Sequence, residues 1–316
     1  MKMKKILTII LSIIVAVSFN GCKATQNTEP QDDARIKIVT TLFPYYDFVR
    51  AVTKGVDGIS ITMTVAPGQD SHSFEPTPKD IIKIEDADLF IYNGGTLETW
   101  VDSVLGALSN DEQVMRMMDY VDVMEEETVE GMDLRYEHSH DHSEEMHSHS
   151  EESEHSHDEE NEHSHDEENE HSHDEESEHS HDDKEYDEHI WTSPVNAMKM
   201  VGYICDEMIK IDPENAEIYK ANTDEYIGKI QNIDTQIRKI VNKMDKKEII
   251  FADKFPLLYF AKEYGLSYYA AFPGCAEDTG AKAYEFNSCH NITEKQFQSG
   301  VTYVDLMTKN LEVLKK

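Results

Sequence analysis

The stretch "KIVTTLFPYYDFVRAVTKGVDGISITMTVAPGQDSHSFEPTPKDIIKIEDADLFIYNG", residues 37–94, alternates strand-like and helix-like patterns. Its opening, "KIVTT" (37–41), is a short apolar, β-branched run, "YYDFVRAV" (45–52) has helical spacing after Pro44, and "ISITMTV" (59–65) reads as a strand. Next, "TPKDIIKIEDA" (77–87) is a helix opened by Thr77 with Pro78 at its first position, and "DLFIYNG" (88–94) is again a strand. The amphipathic helix "TLETWVDSVLGAL" (96–108) closes this part. Such a β-α-β-α-β-α order needs a parallel sheet with helices on both faces, so the fold class is α/β.

Downstream, "SPVNAMKMVGYICDEMIKI" (193–211) and "PENAEIYKANTDEYIGKIQNIDTQIRKIVNKM" (213–244) carry apolar residues at three- and four-residue intervals, with Pro194 and Pro213 at helix starts. They read as a rigid helical connector into a second, thinner α/β lobe. That lobe consists of the strand "KEIIFAD" (247–253), the helix "FPLLYFAKEYG" ending at Gly265, the strand "LSYYAAF" (266–272), a third strand in "AKAYEF" (281–286), and the final helix "GVTYVDLMTKNLEVLKK".

Of the net charge of −35, −23 lies in Glu137–Glu188, where 24 acids face one lysine. An acidic balance of this size argues against nucleic acid or an anionic membrane surface as partner. At the N-terminus, Lys2, Lys4 and Lys5 precede an apolar run, Ile6–Val17, too short to span a membrane, which reads as an export signal. Its end, "SFNGC", resembles the lipobox of bacterial lipoproteins with Cys22 as the lipidated residue, although Phe19 and Asn20 depart from the usual residues. The expected organisation is a signal peptide (1–21), a lipid-anchor tether (22–36), an N-terminal α/β lobe (37–136), a disordered His- and acid-rich loop (137–188), connector helices (189–246) and a shortened C-terminal lobe (247–316). In an oxidising compartment Cys275 and Cys289 are candidates for a bridge, with a buried thiol as the alternative for each and for Cys205.

Two histidines stand where α/β proteins bind ligands. His72 is in the loop after the strand ending at Val65, and His189 is in "DEHIWTSP", directly before the connector. Between them lie thirteen more: His138, His140, His142, His147, His149, His155, His157, His163, His165, His171, His173, His179 and His181. From Glu154 an eight-residue unit repeats, each copy placing two histidines two residues apart between acids. An extended i, i+2 pair points both imidazoles to one side, and the neighbouring carboxylates concentrate divalent cations. A solvating spacer would supply the acid without the recurrent histidine, so the tract reads as an auxiliary metal trap, disordered when empty. Its imidazoles favour Zn²⁺, Cu²⁺ and Ni²⁺ over Mn²⁺.

The motifs "TTLFPYYDFV", "PGQDSHSFEPTP", "ADLFIYNGGTLETWVD", "DEHIWTSPVNA" and "FPLLYFAKEYGL" resemble, in order and spacing, the zinc and manganese substrate-binding lipoproteins of bacterial ABC importers, the cluster A-I group. The resemblance implies two α/β lobes joined by a long helix, a metal held between them by His72 and His189, a permease of a metal ABC importer as partner, and a lipid-anchored, extracytoplasmic monomer. A His-rich loop before the second histidine favours Zn²⁺ as cargo. Two departures matter. Where an "HDAF"-like motif places a third histidine, this chain reads "ADKF", with Ala252 there and Asp253 beside it, and about forty residues that would carry an acidic ligand are missing after "PGCAEDTG". Asp253 and Glu277 are the candidates for the remaining ligands, followed by His290 and a water, since zinc takes four ligands from His, Cys and carboxylate.

No H-E-x-x-H, G-x-S-x-G or G-x-x-x-x-G-K-[ST] occurs, so a binding protein is expected rather than an enzyme. The chain reads as an extracytoplasmic high-affinity zinc receptor. The alternatives are a manganese receptor, or a surface metal buffer or adhesin-like protein in which the repeats do the binding.

Overall fold

The computed structural model describes residues 34–106, 108, 114–127, 185–251, 256–270 and 282–316. The signal peptide, Cys22, the thirteen tract histidines, Asp253, Glu277 and Cys275 all lie outside the described residues.

By contacts the chain divides into two compact units. Unit one takes the described residues up to Met117, then Met200–Ile227 and Asn291–Tyr303; unit two takes Met118–Lys199, Gly228–His290 and Val304–Lys316. Both long helices, α4 (Pro194–Ile211) and α5 (Ala216–Val241), have residues in each unit, and the segment ending at Tyr303 belongs to unit one.

Unit one holds a four-stranded parallel sheet of β1 (Ile36–Thr40), β2 (Ile59–Met63), β3 (Leu89–Tyr92) and β4 (Val114–Arg116), in the order β2-β1-β3-β4. All four residues of β3 are buried, as a central strand covered on both faces requires, whereas every residue of edge strand β2 is half-buried. The helices are α1 (Phe43–Val52), α2 (Pro78–Glu85) and α3 (Trp100–Leu105). Val39, Phe90 and Tyr92 pack with Ile84 of α2 and Val101 and Val104 of α3 in one buried cluster.

Within this unit Asp47 of α1 is fully buried. It pairs with Arg50, accepts the Tyr226 hydroxyl, and accepts the Tyr303 backbone N–H at 2.7 Å. Arg50 also donates to the Val301 carbonyl at 2.8 Å. Residues 35 and 36, expected in the tether, are part of the fold. Ile36 opens β1, and Arg35 makes a bidentate pair with Asp212 at 3.0 and 2.9 Å.

In unit two, β5 (Glu248–Phe251) pairs in parallel with β6 (Ser267–Ala270), and α6 (Leu258–Tyr264) ends at Gly265, whose φ of 64° is the left-handed cap that glycine adopts without strain. The strand expected over 281–286 is not formed in its described part, since residues 282–288 have no regular structure. Just beyond 281–286, Asn310 Oδ1 accepts the Asn287 N–H and its Nδ2 donates to the Asn287 carbonyl, both at 2.7 Å. Two short elements had not been read from the sequence: β4, and the helix α7 (Glu294–Gln298) that precedes α8 (Tyr303–Val313).

Candidate metal centre

The loop bearing His72 leaves β2 at the C-terminal edge of the sheet, where the ladder continues through Thr64 N–H to Thr40 O (2.8 Å) and Val65 N–H to Thr41 O (3.2 Å). A turn from Ala66 to Gln69 follows, in which Gly68 has a φ of 82° and donates its N–H to Asn291 Oδ1 at 3.1 Å. Asn291 also donates its side-chain amide to the Gln69 carbonyl. Asp70 then accepts from the His72 N–H at 3.3 Å and the Ser73 hydroxyl at 3.1 Å. Phe74 anchors the far side of the loop, buried with its ring 5.2 Å from that of Trp100. The loop is thus fixed at both ends with the exposed His72 at its crest. It runs into α2, which starts with a capping box between Thr77 and Asp80.

His189 is in unit two, at the start of a 3₁₀ turn (Ile190–Thr192) that feeds α4. Its carbonyl accepts both the N–H (3.0 Å) and the hydroxyl (2.7 Å) of Thr192. Ser193 then caps α4, its hydroxyl accepting the Asn196 N–H at 3.3 Å with Pro194 in the first position, where its missing N–H costs nothing. The imidazole is mostly buried, and its Nδ1 lies 3.3 Å from Asp187 Oδ1 without completing a hydrogen bond. A histidine that binds metal through one ring nitrogen commonly donates the other to a carboxylate, and Asp187 stands in that place.

Asp187 is itself held in place. Its N–H donates to Met124 O (2.9 Å), Glu126 N–H donates to Glu185 O (2.8 Å), and Tyr186 bridges Glu125 antiparallel. Tyr259 clamps the two segments together, donating its hydroxyl to Asp187 O (2.8 Å) and accepting Met124 N–H (3.0 Å). Burial is the main reason its phenol is pushed up to about 12. Residues 185–188, counted by composition with the repeat loop, therefore belong to this pairing. The segment is electronegative: burial first, then the charges of Glu185 and Asp187, raise the Glu126 carboxyl.

A neighbour of His189 had only a minor place in the sequence reading. The His290 ring lies 5.9 Å from that of His189, nearly perpendicular to it, and 5.3 Å from that of Trp191. Trp191 is fully buried, and its indole N–H donates to Ser288 O at 2.8 Å. Among the described residues, no three or more His, Cys, Asp or Glu gather into a group that could hold a metal ion. Cys205 is a buried free thiol whose pKa burial raises, and Cys289 is also buried; the Cys275–Cys289 pairing lies outside the described residues because Cys275 does.

A parallel sheet with a histidine-bearing loop at its C-terminal edge is an α/β arrangement of the kind that takes ligands beyond the strand ends. The sequence model of the family described as zinc-uptake complex component A, periplasmic, matches residues 38–283, and the chain belongs to that family. The high-affinity zinc uptake system protein ZnuA of Bacillus subtilis is 29% identical over 98% of this chain and 96% of its own length. The zinc-binding protein AdcA of Streptococcus pyogenes serotype M3 is 28% identical over 99% of this chain. The chain spans only 61% of that relative's length. Among solved structures, the metal-dependent lipoprotein YcdH of Bacillus subtilis superposes with a TM-score of 0.64 at 25% identity, covering 89% of this chain and 98% of that one. Among the described residues no helix is long and apolar enough to cross a membrane.

Proposed function

We propose that this protein is an extracytoplasmic zinc receptor, held to the membrane by a lipid on Cys22, that captures Zn²⁺ and passes it to the permease of an ABC-type importer. It acts by binding and release, without catalysing a reaction. The observation that carries this reading is His189, whose ring nitrogen has the Asp187 carboxylate beside it in a chain of the zinc-uptake family. His72 and His189 supply imidazoles to the cargo, and Asp253 and Glu277 are the candidates for completing the shell. The histidine tract raises the effective concentration of metal beside the site.

The test is calorimetric titration of Zn²⁺ into a full-length variant with all thirteen tract histidines replaced by serine, alone and with His72→Ala added. One tight site, lost on the His72→Ala change, is the expected result. No tight site in the serine variant would instead favour the metal-buffer reading, in which the repeats bind the metal. A site that prefers Mn²⁺ over Zn²⁺ would favour the manganese reading.

A further inference from the structure

We infer that His290 is a ligand of the cargo metal, standing beside His189 and supplying an imidazole that the "ADKF" sequence at 252–255 does not. This rests on the zinc-receptor reading and on His189 as a ligand. Three independent observations within unit two carry it.

The first is distance. Two imidazoles sharing a tetrahedral Zn²⁺ at a Zn–N length of about 2.0–2.1 Å have ring centroids on the order of 5 Å apart. The His189 and His290 rings are 5.9 Å apart at 85°, so a small side-chain adjustment would bring a nitrogen of each onto one ion. A face-to-face stack would leave no such common point.

The second is how His290 is held. Trp191, two residues after His189, grips the His290 loop through its indole N–H to Ser288 O, so the two imidazoles are placed by one fully buried side chain. The base of the loop is fixed by the Asn287–Asn310 exchange, by the Cys289 N–H donating to Asn287 Oδ1 (2.7 Å), and by the buried Cys289 side chain. A loop that merely covered a surface would need none of this.

The third is strain. Cys289 has a φ of 58°, and among the described residues it is the sole non-glycine with positive φ. For an L-residue without a side chain suited to that region this conformation is disfavoured, and such a cost persists where a functional geometry requires it. The left-handed residue immediately before His290 turns the chain so that the ring meets His189 and Trp191.

The test uses the full-length tract-serine variant, with Zn²⁺ titrations of His290→Ala, His189→Ala and His72→Ala, and thermal melts of each with and without Zn²⁺. His290→Gln replaces the alanine variant if that fails to fold. The expected result is a loss of at least about tenfold in affinity for the His290 variant, no smaller than removal of an outer-sphere partner gives. Its zinc-induced rise in Tm should shrink while its zinc-free Tm stays near the parent's. A purely structural His290 would instead lower the zinc-free Tm and leave affinity intact. Unchanged affinity in the His290 variant together with loss in the His189 variant overturns this inference and leaves the receptor reading standing. Unchanged affinity in both the His189 and His72 variants overturns the receptor site and this inference together.

Discussion

His189 and Asp187 meet twice: Oδ1 of the aspartate accepts the histidine's backbone N–H at 2.8 Å and lies 3.3 Å from its Nδ1. The first contact fixes the main chain, and the second sets a carboxylate beside the ring nitrogen. Asp187→Asn keeps the size of the side chain but removes the charge that would support a ring bound to a cation. Zinc affinity is expected to fall about 10–100-fold, with the zinc-free melting temperature little changed. Calorimetry alongside a circular-dichroism melt checks this, and an unaltered Kd would remove Asp187 from the site.

Tyr259 acts one step further out. Its hydroxyl is both donor to Asp187 O and acceptor for Met124 N–H. Tyr259→Phe leaves two buried backbone groups without that partner and is expected to cost about 1–3 kcal/mol in urea unfolding. Because Asp187 then loses one of its anchors, zinc affinity should fall as well, by less than in Asp187→Asn. The opposite order of the two affinity losses would contradict this hierarchy.

Much of this was legible along the chain. Thr77 and Pro78 announced the start of α2, and the β-branched and apolar runs announced β1, β2 and β3. The strand β4 escaped notice because it is three residues long with only Val114 and Met115 to signal it. Thr293 with Gln296 is a capping-box pair that could have revealed α7. The pairing of His189 with His290 has no local signal at all. It depends on an indole reaching a carbonyl 97 residues away and on a left-handed cysteine, and neither periodicity nor motif spacing encodes such a contact.

Asp212 offers a prediction in pH. It accepts from Arg35 twice, from Tyr219 at 2.5 Å and from Asn215 at 2.8 Å. The Arg35 hydrogen bonds foremost, then those of Tyr219 and Asn215, hold its carboxyl well below the usual value of 3.8. A depressed folded-state pKa contributes stability that is complete above the unfolded value and drains away as pH falls toward the folded one. Asp212→Asn should therefore lower Tm at neutral pH, and the gap from the parent should hold down to about pH 4 and narrow below it. A gap of constant size across an acid series would assign the loss to packing instead of charge.

Asp47 carries the opposite shift and a larger stake. Burial drives its carboxyl above the ordinary range, against the pull of Arg50, Tyr226 and the Tyr303 N–H. Its ionised form is thus penalised by folding, and its contribution to stability falls as pH rises from the unfolded value through the folded one. The carboxylate nonetheless satisfies two buried donors and a guanidinium that also reaches Val301 O. Removing one partner of a buried pair leaves the others unsatisfied, so Asp47→Ala is expected to cost about 3–5 kcal/mol. Asp47→Asn retains one acceptor oxygen and sheds the desolvated charge, so it should cost less. Both are read from urea unfolding midpoints at constant m. Equal losses would mean that the retained acceptor oxygen is worth nothing without the charge, and a loss under about 1 kcal/mol for the alanine variant would place the network among those worth no more than an exposed pair.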